Sequence, residues 1–138
     1  CNTGSNLAAI RAGGSGDVTQ SGVLWMAQDG LPDIISPLCD CQLVYLVTSE
    51  GLITCFDVTN GKLVWEHDLM KPVRSSPTLV GKRIFLTDQE GVTHFFEAGR
   101  TFKDLGSAVL GEPVETTPAF LGGRMFLRGE KHLYCIGD

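Results

Sequence analysis

Five sets of residues recur along this chain at one spacing. Trp25 and Trp65 are 40 apart, with Leu105 a further 40 on. Pro32, Pro72 and Pro113 are spaced 40 and 41, as are the steps Ser36-Pro37, Ser76-Pro77 and Thr117-Pro118. Tyr45, Phe85 and Phe126 keep the same intervals, each followed by leucine (Leu46, Leu86, Leu127), and Gly51 and Gly91 are again 40 apart. One such coincidence would mean little; five in register mean a repeat architecture.

Each unit reads as strands. Gln42 to Thr48 alternates apolar and polar residues, and Glu50-Gly51 makes a turn. Leu52 to Phe56 is a second strand, Asp57 to Lys62 a polar turn, and Lys62 to Glu66 a third. Asn60-Gly61 is a hairpin signal because both residues tolerate positive φ. A shorter strand, Ser76 to Val80, follows the Ser-Pro step. Four antiparallel strands per ~40 residues is the period of a β-propeller blade. A sandwich would suit the strand lengths but does not require recurrence every 40 residues, and a β-helix repeats at much shorter intervals. The 17 glycines and 6 prolines fit here as turn markers, spaced too closely for long helices.

The ends fall into the same frame. Leu7 to Ile10 resembles Ile53 to Phe56 and Leu133 to Ile136, so the chain enters and leaves on a third strand. A longer glycine-rich loop, Arg11 to Ser21, precedes the fourth strand at Val23 to Trp25. The expectation is an all-β partial propeller of about thirteen strands, a little over three blades. Residues 1–31 end one blade, 32–71 and 72–112 form two, and 113–138 form an incomplete one. Even four blades need about 160 residues, so 138 do not close a ring. The chain is therefore expected to be a piece of a longer propeller or a homo-oligomeric subunit that completes one by self-association, because open strand edges recruit partners.

The segment Asp57 to Glu66 resembles the tryptophan-docking repeat of pyrroloquinoline-quinone-like (PQQ-like, quinoprotein-type) propellers: Asp, two residues, Thr-Gly or similar, three residues, Trp. Here Asn60 interrupts the Thr-Gly step. The Ser-Pro steps, with Tyr45 or Phe85 ahead of Gly51 or Gly91, are similar too, and the resemblance covers nearly the whole chain. That family includes quinone-dependent alcohol and sugar dehydrogenases, a lipoprotein of the outer-membrane assembly machinery, and many uncharacterised secreted repeat proteins. Ala9 to Thr19 and Arg128 to Gly137 look most like the last group. The resemblance implies a bacterial, periplasmic or secreted setting. Trp25 and Trp65 are read as structural blade-packing residues, each burying about 150–250 Å². Position 105 carries leucine and Glu97 to Arg100 replace the Asp-to-Gly turn, so that unit is expected to keep the spacing and lose the motif.

A quinoprotein dehydrogenase needs a catalytic Asp, a calcium site and a stacking platform. The acidic residues here, Asp29, Asp33, Glu50, Asp57, Asp88 and Glu90, fall on turns and read as solvated. No cofactor is expected, PQQ entering only with blades beyond those present. Gly13 to Asp17 lacks the lysine and helix of a phosphate loop and reads as a flexible connection. His67, His94 and His132 share no metal-ligand spacing. Of the five cysteines, Cys39-Asp40-Cys41 is too close for a C-x-x-C site, and the thiols there read as reduced, with a metal or redox role as the alternative. Cys55 and Cys135 sit in apolar strand patterns and are expected to be buried. Cys1 before a polar run imitates a processed lipoprotein start, although a boundary within a longer chain reads better.

The loops before the Ser/Thr-Pro steps are the better place for binding. They begin the innermost strands, near one mouth of a central channel, and Arg74 and Glu115 are expected to face that mouth. A net charge of -5 argues against a nucleic-acid surface, and no apolar run reaches membrane-spanning length. The favoured function is a non-enzymatic binding or scaffold module for a protein or other extracytoplasmic ligand. The alternative is part of a PQQ-dependent dehydrogenase. A third possibility is a carbohydrate-active or other enzyme whose site lies in further blades.

Overall fold

The computed structural model describes residues 6–137; Cys1 lies outside them. Thirteen strands are present among the described residues: β1 (Leu7–Ile10), β2 (Val23–Ala27), β3 (Leu38–Cys39), β4 (Leu43–Val47), β5 (Leu52–Asp57), β6 (Leu63–Asp68), β7 (Thr78–Val80), β8 (Arg83–Thr87), β9 (Val92–Glu97), β10 (Asp104–Val109), β11 (Ala119–Leu121), β12 (Arg124–Arg128) and β13 (Leu133–Ile136). They form four antiparallel sheets in chain order: β1-β2, β3 to β6, β7 to β10, and β11 to β13. The architecture is a partial β-propeller in which the two middle sheets are four-stranded blades.

The core is the seam between the second and third sheets. Leu43, Tyr45, Val47, Ile53 and Cys55 of one sheet meet Val73, Ile84, Leu86 and Phe96 of the next. Strand alternation explains this, because every second side chain faces the same way. Phe56, next to Cys55, faces back and stacks on Trp25 of the first sheet at 6.5 Å. Each fully buried side chain here contributes about 1.5–3 kcal/mol.

The glycines spaced 40 apart mark a recurring joint. Gly51 and Gly91 have φ of 100° and 82°, and a Cβ on either would overlap a carbonyl oxygen, of Lys71 and Glu112 respectively. Each glycine carbonyl also accepts an N–H from the outgoing strand, Leu69 at 3.1 Å and Leu110 at 2.9 Å. Only glycine allows the chain leaving one sheet to cross so close to the preceding hairpin.

Three local expectations are corrected. Position 105 does not replace tryptophan. Trp25 pairs with Ala9 and Trp65 with Cys55, but it is Gly106 that pairs with Phe95. One extra residue in the turn before β10 shifts the register and also lengthens the later spacings from 40 to 41. In the Asn60-Gly61 turn only Gly61 has positive φ. The turn closes instead by Gly61 N–H to Asp57 O and by Asn60 Oδ1 accepting from Lys62 N–H, both at 2.9 Å. Cys55 is buried but Cys135 is exposed, because no sheet among the described residues covers that face of β13.

Candidate functional site

Three equivalent steps, residues 33–36, 73–76 and 114–117, lead into the innermost strands. Bridges from Val73 to Asp88 and from Val114 to Gly129 tie two of them to their own sheets. A hydroxyl ladder then ties them to one another. Ser36 N–H donates to Ser76 Oγ at 3.0 Å, and Ser76 N–H donates to Thr117 Oγ1 at 2.8 Å. Proline follows each rung, so that residue has no N–H to satisfy there.

The ladder presents Ile34, Arg74 and Glu115 at one equivalent position, all exposed; Ile34 is 60% exposed. Arg74 Nε and Glu115 Oε1 lie 3.9 Å apart. Ser49 donates to Asp33 Oδ2 at 2.8 Å, and this bond holds the Asp33 carboxyl below its ordinary range. A cleft of about 430 Å³ opens beside Glu115, walled by Pro113, Thr116, Arg128 and Glu130. Arg128 is held within its own turn, Nη1 donating to the carbonyls of Gly129 and His132. The row mixes one apolar, one basic and one acidic side chain on a backbone tied by the hydroxyl ladder.

Behind the row lies a polar cluster that the sequence hides. Asp88, expected to be solvated, is fully buried. Its Oδ1 accepts from Val92 N–H and its Oδ2 lies 2.9 Å from His94 Nε2. Ser75 Oγ donates to Thr87 O at 2.7 Å and accepts Thr87 N–H at 3.1 Å, and the Thr87 and Thr93 hydroxyls are 3.0 Å apart. The sequence signal was only that Asp88 and His94 flank one hairpin turn, with His94 paired opposite Leu86. In the fourth sheet Gly129 replaces Asp88, and Glu112 reaches in to accept the N–H groups of Lys131 and His132.

The tryptophans are spent between sheets. Trp25 Nε1–H donates to Val58 O at 2.7 Å, and its ring fills the space a Cβ on Gly61 would enter, 2.6 Å from Cδ2. Trp65 Nε1–H donates to Gly99 O at 2.9 Å, and its ring meets Tyr45, Phe96 and Phe102. So Glu97 to Arg100, read as a lost motif, still receives the tryptophan of the preceding sheet, and Arg100 reaches back to Asp57 at 2.9 Å. At the next seam Gly106 brings no side chain. That seam also holds a groove of about 510 Å³, lined by Phe85, Phe95, Ala108, Phe120, Met125 and Ile136.

A planar quinone needs a stacking platform and a calcium ligand set. Both indoles face neighbouring blades, and among the described residues no group of three or more His, Cys, Asp or Glu could hold a metal ion. The residues present do not fit PQQ.

A sequence profile described as outer membrane protein assembly factor BamB matches residues 9–101. Curated protein sequences give no match. Among solved structures, BamB from Moraxella catarrhalis is similar over 84% of this chain and 37% of that one, at 16% identity and a TM-score of 0.70. The quinohemoprotein alcohol dehydrogenase ADHIIG from Pseudomonas putida HK5 is similar over 67% of this chain and 16% of that one, at 13% identity and 0.59. A europium-containing methanol dehydrogenase is similar over 67% and 20%, at 16% identity and 0.53. The chain thus spans well under half the length of each, and at these identities the likeness is one of fold.

Proposed function

The chain belongs to the family described as outer membrane protein assembly factor BamB, and on that premise we propose that it forms part of a non-catalytic propeller scaffold that binds a protein partner in a bacterial envelope. The observation that carries this is the exposed row Ile34, Arg74 and Glu115, held on the Ser/Thr-Pro ladder. Rigid backbone with adaptable side chains at its rim is how loops on a fixed scaffold present a binding surface. The setting is periplasmic or secreted. No described helix is long and apolar enough to cross a membrane. The rest of the ring comes from further blades or a second copy.

Binding to purified components of an outer-membrane assembly machinery, followed by biolayer interferometry, tests this reading. The paired changes Ile34→Asp and Arg74→Glu should weaken binding at least about tenfold, the effect of losing one hot-spot side chain. Undiminished binding by the double variant, or none by the parent, refutes it. Dye reduction after addition of PQQ and calcium would favour a dehydrogenase part instead. Light scattering decides between the two sources of the ring: a dispersed monomer removes self-association.

A further inference from the structure

Cys39 ends β3 and Cys41 lies in the turn to β4, on either side of Asp40, and this turn differs from its siblings in the residue at one position. The β7–β8 and β11–β12 turns place glycine at the position of Cys41, Gly81 with φ 63° and Gly122 with φ 58°. Cys41 adopts the same left-handed conformation at φ 74° with a full side chain. Such a conformation disfavours any residue with a Cβ, so Cys41 stands there at a conformational cost that its glycine siblings do not bear.

The surroundings fix the pair. Asp40 is turned inward, its carboxylate accepting the N–H groups of Gln42 and Leu43 and the Tyr45 hydroxyl. Both cysteines are exposed and free, and Cys41 N–H donates to Cys39 Sγ at 3.3 Å. The first sulfur therefore lies against the backbone that carries the second. No third Cys, His or carboxylate joins them among the described residues. Four-coordinate zinc is thereby disfavoured, since it asks for more ligands.

We propose that Cys39 and Cys41 form a two-thiolate site for a soft monovalent cation of the copper(I) type. Thiolate sulfur selects such ions over harder ones. Binding replaces the two thiol protons by two sulfur–metal bonds, and both protons go to solvent. Cys55 does not contribute: it is buried, and burial with the nearby Asp40 charge pushes its thiol up to about 12.

The test is anaerobic titration of the reduced full chain against the copper(I) bicinchoninate complex. The parent should withdraw one copper per chain. Cys39→Ser and Cys41→Gly should each weaken this by more than about 100-fold, beyond the effect of losing an outer-shell partner. Cys1→Ser and Cys135→Ser should bind as the parent does. Cys41→Gly guards against misfolding, because the sibling turns already use glycine and its thermal midpoint should be equal or higher. A parent that leaves copper with bicinchoninate, a Cys41→Gly chain that keeps it, or dependence on Cys1 or Cys135 overturns the proposal.

Discussion

The seam between the second and third sheets and the seam between the third and fourth share an inner joint and differ at the rim. At both, glycine lets the outgoing strand cross a hairpin, at Gly51 and at Gly91. At both, a Ser or Thr hydroxyl takes the N–H of the preceding step. Outside that joint they part. Trp65, Tyr45, Phe96 and Phe102 fill the first seam. The second is packed by Phe85 against Phe120 and then opens into a groove bordered by Ala108 of β10, with every residue of that strand exposed. The inner joint defines the stacking of blades, and the rim fill sets how tightly each stack is held.

Three measurements would break or sharpen this contrast. Trp65→Ala should destabilise the chain by about 3–4 kcal/mol in urea unfolding, through the lost ring and its bond to Gly99 O. Leu105→Ala should cost about 1 kcal/mol or less, since Leu105 is 40% exposed and is not the tryptophan equivalent. Equal losses at the two positions would erase the distinction between the rims. Next, Gly51→Ala and Gly91→Ala should each cost about 2–3 kcal/mol, combining a left-handed backbone with overlap of a carbonyl. Gly81→Ala, also left-handed but open to space, should cost about 1 kcal/mol. A marked gap between Gly51→Ala and Gly91→Ala would show that the joints are not equivalent.

The smallest effect concerns the turn that receives Trp25. The Thr59 hydroxyl, the Arg100 guanidinium and the Thr59 N–H hold the Asp57 carboxyl down at about 2. Its folded value lies below the unfolded one of about 4. Ionised Asp57 therefore favours the fold above about pH 4, and that contribution disappears as pH falls from about 4 to about 2. The urea midpoint should drop less between pH 5 and pH 2 in Asp57→Asn than in the parent. Identical drops would remove this turn from the acid response.

The repeat made the blades legible in the sequence: period and strand order follow from residues that must recur if sheets are to stack alike. The register was less legible. One residue inserted before β10 carries no signature of its own, so Leu105 and Gly106 could be told apart only by what pairs with Phe95. Asp88 read as solvent-facing because turns usually are, and its burial depends on His94 folding over from the next strand. Cys135 read as buried because an apolar strand pattern does not say whether a neighbour is present. The mouth residues Arg74 and Glu115 were legible as positions in a loop, but their approach to 3.9 Å comes from the ladder, whose rungs join residues 40 and 41 apart.

That ladder also has a direction. Each step gives its N–H forward to the next sheet and offers its hydroxyl backward to the last, so the units meet head to tail. A copy inserted in the same sense finds both halves of its bond waiting, whereas units meeting in opposite senses would set donor against donor. Tandem duplication of about forty codons preserves this polarity automatically. An added unit would thus meet each neighbour with the same donor and acceptor that the present units use.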